Sequence, residues 1–197
     1  MTEADPDPFP DVGMAAKPAR IILIALMFSY LAMFVWLGRD IHTTAIGVAA
    51  SGVLASALLV LSYIDLRTGL LLDILTLPLI LLGIGYAALA GDILLSIAGA
   101  TVGYAMIAGL AAYWRHTRGY EGIGLGDAKL LSACGAWIGL AGLPILLLIA
   151  SGLGIIAALT VSQKARSADE RVAIPFGPSL AIAGWAVWCG IETVFGI

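Results

Sequence analysis

The sequence predicts an all-α polytopic membrane protein, a bundle of about seven helices with one of them short or re-entrant. Three observations carry that expectation. Of 197 residues, 61% are hydrophobic and only 12% charged, far more apolar than a soluble domain needs. The apolar residues gather into runs close to the ~20 that a helix needs to cross a bilayer. Nine of the ten Lys and Arg fall before the first run or at alternate ends of the later ones, as they do when one face of a membrane protein is cytoplasmic.

Taken in order, residues 1–19 carry four prolines and four acids with no hydrophobic period, so they cannot bury enough surface to fold alone. They read as a disordered acidic cytoplasmic tail. Residues 20–43 follow as a first transmembrane helix, from about Ile21 to Leu37, and a short external loop. Lys17 and Arg20 give this run the look of a signal peptide, but the long acidic leader and the lack of an A-x-A site favour an uncleaved span. Further runs cover about 44–64, 70–90, 93–114, 142–162 and 178–196. Between them, residues 127–139 make a run of roughly 13, too short to span and therefore expected to be covered by protein or to line a wet cavity. Pro78 is expected to kink the third helix and Pro144 to start the sixth.

Charge sets the topology. With the amino terminus inside, Lys17, Arg20, Arg67, Arg115, Arg118, Lys129, Lys164, Arg166 and Arg171 are cytoplasmic and only Arg39 is outside, so the chain reads as N-in, C-out. The same assignment gathers Asp65, Asp73, Glu121 and Asp127 at the cytoplasmic face and leaves Asp40, Asp92 and Glu192 at or near the other. Acid chemistry is therefore expected to face the cytosol.

Composition also excludes. The net charge of −3 comes largely from the acidic head and offers nothing basic enough to grip nucleic acid. Cys134 and Cys189 sit singly inside apolar runs, where free cysteine usually serves as filler. His42 and His116 are lone, and no Cys or Asp stands at ligand spacing beside them, so no metal or other cofactor is expected. The 24 glycines include 99-GATVG-103, 135-GAWIG-139 and 150-ASGLG-154, small-residue patterns that let membrane helices approach closely.

The stretch richest in chemistry is GYEGIGLGDAKLL, residues 119–131. An acid at the edge of an apolar run is expensive, which makes Asp127 a functional candidate, although Asp is also a good helix N-cap. Gly124 and Gly126 before it let the backbone turn without side-chain obstruction. Asp65 in SYIDLR closes an earlier run on the same face; alone it reads equally well as an interfacial stop paired with Arg67. Together the two carboxylates can share one proton and activate a water, with Asp65 expected to hold the proton and Asp127 the charge. Asp73 suits the first turn of a helix. Lys129 reads as an interfacial positive residue, and Glu121 as a loop acid able to meet a basic substrate segment.

Three blocks, GYEGIGLGDAKLLSACGAWIG, SYIDLRTGLLLDILTLPL and 174-IPFGPSLAIAGW-185, resemble the type IV prepilin peptidase family, membrane-embedded aspartic proteases with a GxGD motif. They occur in the family's order across about residues 45–196, which marks 44–197 as the expected peptidase domain. The resemblance implies that Asp65 and Asp127 are the catalytic pair. It implies supporting places for Asp73 and for Gly124 and Gly126 of the GxGD motif; Lys129 is grouped with them, and Pro175 and Gly177 in the IPFGP block are expected, with Glu121, to contact substrate. Leu72 stands where the family usually has a proline before its second acid. Presenilin-like GxGD proteases are a poorer match, because Ile64 replaces the tyrosine of their YD motif.

The implied activity is removal of the short basic leader from type IV prepilins or pseudopilins at the cytoplasmic face of the bacterial inner membrane, in a pilus or type II secretion context. The competing readings are a small proton- or cation-coupled transporter that uses the same acids, and a non-catalytic scaffold. A transporter is expected to place ionisable groups near the midplane and often to show repeats. No tetracysteine segment of the kind associated with N-methylation occurs here, so the sequence leads to the expectation of peptidase activity without methyl transfer.

Overall fold

The computed structural model describes Ile24, Met27, Phe28, Leu31 and residues 45–118, 124–165 and 175–195. Beyond those four single positions, five helices are described: α1 (Ala45–Thr68), α2 (Asp73–Ala90), α3 (Ile93–Arg118), α4 (Leu125–Ala165) and α5 (Gly177–Phe195). No strand occurs among the described residues. Four helices, α1 to α4, contain stretches long and apolar enough to cross a membrane. The chain is thus a multi-pass membrane protein of all-α class. The expected first span lies almost wholly outside the described residues, so the count of about seven helices is not established.

Local chemistry explains where the helices stop. α1 ends where Gly69 takes a left-handed backbone, φ 63°, and returns its N–H to the carbonyl of Asp65 at 2.8 Å. Arg67 stands in that last turn, where its charge complements the exposed carbonyls. Thr68 closes the end from both sides: its hydroxyl donates to the Ile64 carbonyl at 2.9 Å and accepts from the Leu70 N–H at 3.2 Å. α2 opens with Asp73 in its first turn and ends at Gly91, φ 95°, whose N–H meets the Ala87 carbonyl. Only Gly91 and Asp92 separate α2 from α3, so these two run as an antiparallel pair.

α4 is the organising element. It runs for 41 residues but breaks at Gly139, whose φ of 70° and ψ of 178° are not helical. The arm before the break is the run expected to be too short to span. It is not a separate re-entrant hairpin, because the chain continues through Gly139 directly into the next helix. Pro144 lies inside that second arm, not at its start. From Leu130 to Ile138 every residue of the first arm is buried. The surrounding helices satisfy the physical demand that a short apolar segment be covered by protein.

Packing around this arm depends on small residues. α3 makes the most extensive contact with α4, followed by α5 and α2. Where α3 crosses the first arm, Gly99 and Gly135 face each other so closely that a Cβ on either would collide with the other's carbonyl oxygen. Ser96 donates to the Ala136 carbonyl at 2.6 Å beside that crossing. On the α2 side, Trp137 donates its indole N–H to the Leu79 carbonyl at 2.9 Å and stacks on Tyr86 at 5.9 Å between ring centres. Trp188 of α5 meets both rings edge-on, and its indole N–H donates to Ser51 of α1. Both cysteines are buried and neither forms a disulfide among the described residues, in keeping with their setting in apolar runs.

Candidate active site

The helix directions bring the acids to one end. Asp65 is in the last turn of α1, Asp73 in the first turn of α2 and Asp127 in the first turn of α4. The 18 residues of α2 put Asp92, beyond its far end, about 27 Å away along the axis at 1.5 Å per residue.

At that end a cleft of 930 Å³ opens between α1, α3 and α4, and both Asp65 and Asp127 line it. The two carboxylates lie within electrostatic reach of each other. Asp65 is only 5% exposed. Its Oδ2 accepts the backbone N–H of Gly177, at the start of α5, at 3.0 Å. Asp127 is half-buried, and its own N–H returns to the Gly124 carbonyl at 3.2 Å, which shapes the entry into α4. One side of the cleft is apolar, with Leu71 from the α1–α2 connection, Ile107 and Leu110 from α3, and Leu147 from the second arm of α4.

The supporting residues fall into place unevenly. Gly124 and Gly126 both line the cleft. Gly126 does not take a left-handed backbone; its smallness matters because a Cβ there would lie 3.0 Å from the Cβ of Leu71. The glycine therefore lets the α1–α2 connection rest on the start of α4. Lys129 and Asp73 pair with each other: Nζ lies 2.6 Å from both carboxylate oxygens, with the side chains 29% and 54% exposed. This bridge joins the first turns of α2 and α4, a role that neither residue's position in the sequence announced.

Pro175 lines the cleft. Gly177 is buried against Asp65 and is not part of the cleft lining. Glu121 and His42 lie outside the described residues. Among the described residues, no group of three or more His, Cys, Asp or Glu is placed to hold a metal ion. Phe176 and Ser151 also line the cleft, and sequence reasoning missed them as site residues. The IPFGP block offered a signal for Phe176; a serine within an apolar run offered none.

Two carboxylates on one partly polar, partly apolar cleft can divide acid and base work. One takes a proton from water while the other protonates a carbonyl oxygen and later a leaving amine.

Comparison with known proteins converges on the same stretch. Residues 52–159, more than half of the chain, match the type IV leader peptidase family. The prepilin leader peptidase/N-methyltransferase of Aeromonas salmonicida is 39% identical over 173 residues, covering 87% of this chain and 58% of that protein. The protein of the same name from Neisseria gonorrhoeae is 36% identical over 145 residues, covering 73% and 49%. That from Xanthomonas campestris pv. campestris is 42% identical over 139 residues, covering 69% and 48%. The chain spans about half to three fifths of the length of these relatives. No solved structure matches it. Asp65, Asp73, Asp127 and Lys129 all lie inside the matched segment, and the chain belongs to the type IV leader peptidase family.

Proposed function

We propose that this protein is an aspartic endopeptidase that removes the basic leader peptide of type IV prepilins or pseudopilins at the cytoplasmic face of the bacterial inner membrane, with Asp65 and Asp127 as its catalytic pair. The observation that carries the reading is that these two carboxylates, 62 positions apart, line one cleft within a segment that matches leader peptidases. In the proposed reaction one carboxylate deprotonates the attacking water and the other protonates the scissile carbonyl; the proton then passes to the departing amine. No metal or other cofactor enters this scheme.

The surroundings support a substrate with a basic leader and an apolar helix. Lys129 is paired with Asp73, so its charge is not directed at the dyad, which remains an acidic feature able to attract a basic segment. Ile107, Leu110 and Leu147 offer an apolar wall for the residues beyond the cut. The charge pattern supports a cytoplasmic site and an N-in, C-out topology. A transporter reading has less support, because among the described residues Asp65, Asp73 and Asp127 gather at one end of the helices instead of near their middle.

The test is cleavage of a purified prepilin by the purified protein in lipid nanodiscs, with the products weighed by mass spectrometry. The proposal expects a single cut that separates the basic leader from the hydrophobic helix. An intact prepilin under conditions where the protein is folded contradicts it.

A further inference from the structure

The start of α5 reaches back to the site from 112 residues away. The Phe176 carbonyl accepts the N–H of Leu180 at 3.1 Å, so Gly177 opens the helix and its N–H is one of the donors a helix leaves without an internal partner. Pro178, next in line, has no N–H to offer. Asp65 of α1 fills the role of a capping side chain, accepting the Gly177 N–H on Oδ2. The approach is possible only without a side chain: a Cβ on Gly177 would lie 2.5 Å from Oδ2, 2.9 Å from Cγ and 3.2 Å from Cβ of Asp65.

A second glycine fixes where α5 begins. A Cβ on Gly154, in the second arm of α4, would lie 2.9 Å from Cε2 and 3.2 Å from Cδ2 of Phe176, so the Phe176 ring rests directly on that glycine. The sequence Gly154, Phe176, Gly177, Asp65 is a contiguous line of contacts from α4 through α5 to the carboxylate. It also makes the two oxygens of Asp65 unequal. Oδ2 is committed to the Gly177 amide, whereas Oδ1 accepts no hydrogen bond among the described residues.

We propose that Gly177 is a positioning residue: its amide holds Oδ2 of Asp65 so that Oδ1 is the oxygen left for the chemistry, and Gly154 supports it through Phe176. The inference rests on the dyad reading above, and its tests separate the two. With wild-type cleavage of a purified prepilin established in nanodiscs, Gly177→Ala lowers kcat by roughly 10- to 100-fold, the cost of losing a hydrogen bond to a carboxylate, with KM changed less than about twofold. Gly154→Ala, whose new methyl would displace the Phe176 ring and with it the start of α5, also lowers kcat with KM changed less than about twofold. A Gly177→Ala enzyme with wild-type kcat overturns the proposal.

The hydrogen bond can be read without activity and without a variant at Gly177. In protein labelled with 15N-glycine, the Gly177 amide resonance moves as Asp65 titrates, and that response disappears in Asp65→Asn. A Gly177 resonance indifferent to both overturns the proposal whether or not any prepilin is cut. Absence of cleavage by the wild type, with the Gly177 response intact, counts against the peptidase reading and not against this contact.

Discussion

Gly135→Ala and Gly109→Ala are the same chemical change, and the structure gives them opposite signs. At Gly109 in α3 an added Cβ meets nothing within 4 Å, so the variant gains only the higher helix propensity of alanine, up to about 1 kcal/mol. At Gly135 the new Cβ would lie 2.6 Å from the carbonyl carbon of Gly99 and 3.2 Å from the N of Ala100. Ordinary carbon contacts need about 3.5–4.0 Å, so α3 and the first arm of α4 must separate by roughly 1 Å. The obstacle is backbone and cannot rotate away, which places the overpacking cost near the upper end of its usual range, about 3 kcal/mol. Subtracting the propensity gain leaves a net loss of about 2 kcal/mol. The neighbouring Ser96 hydrogen bond to Ala136, 2.6 Å long, would stretch as well and add about 0.6 kcal/mol. Equilibrium unfolding of wild type and both variants in mixed detergent micelles measures this directly. If Gly135→Ala proves as stable as Gly109→Ala, the close crossing of α3 and α4 does not hold the bundle as described.

The remaining predictions concern the site and its surroundings. Lys129→Met and Asp73→Asn each remove the bridge between α2 and α4; because the pair is partly exposed, either costs at most about 1 kcal/mol in unfolding measurements. Cleavage by Asp73→Asn is expected to be far less impaired than by a dyad variant, and loss of all turnover would show that Asp73 does more than bridge. Reporters fused after Arg67, Arg118 and Lys164 are expected to read cytoplasm, and a reporter after Gly91 the outside; an outside signal at Arg118 would separate the two aspartates. Chelators are expected to leave prepilin cleavage unchanged, since the proposed chemistry uses two carboxylates and water; a loss reversed by zinc would contradict that scheme.

Much of the helical architecture was legible because a bilayer imposes lengths. The α1–α4 spans follow from apolar runs, and the shortness of 127–139 from simple counting. What counting missed was continuity: a glycine with φ 70° lets α4 change direction at Gly139 without ending, so two segments read separately are one broken helix. The acids of the candidate site stood out for a similar reason, since Asp65 and Asp127 each close or open an apolar run where a charge is costly. Their surroundings were not. The Gly177 amide on Asp65 and the Lys129 bridge to Asp73 join positions 112 and 56 residues apart. The first is made by a backbone amide, and one glycine among 24 does not announce which carboxylate it meets; the second is one pairing among the several that a few interfacial charges permit. The apolar wall of Ile107, Leu110 and Leu147 was hidden because in a membrane protein such residues are everywhere.

The central claim, that Asp65 and Asp127 together cut the substrate, is tested most directly by Asp65→Asn and Asp127→Asn, each isosteric with the residue it replaces. Purified in nanodiscs and shown to be folded by their unfolding transitions, both are incubated with a purified prepilin and the products are weighed. Because a single carboxylate cannot serve as base for the water and acid for the carbonyl, each variant is expected to yield no detectable leader and an intact prepilin mass. Near wild-type cleavage by either one contradicts the account.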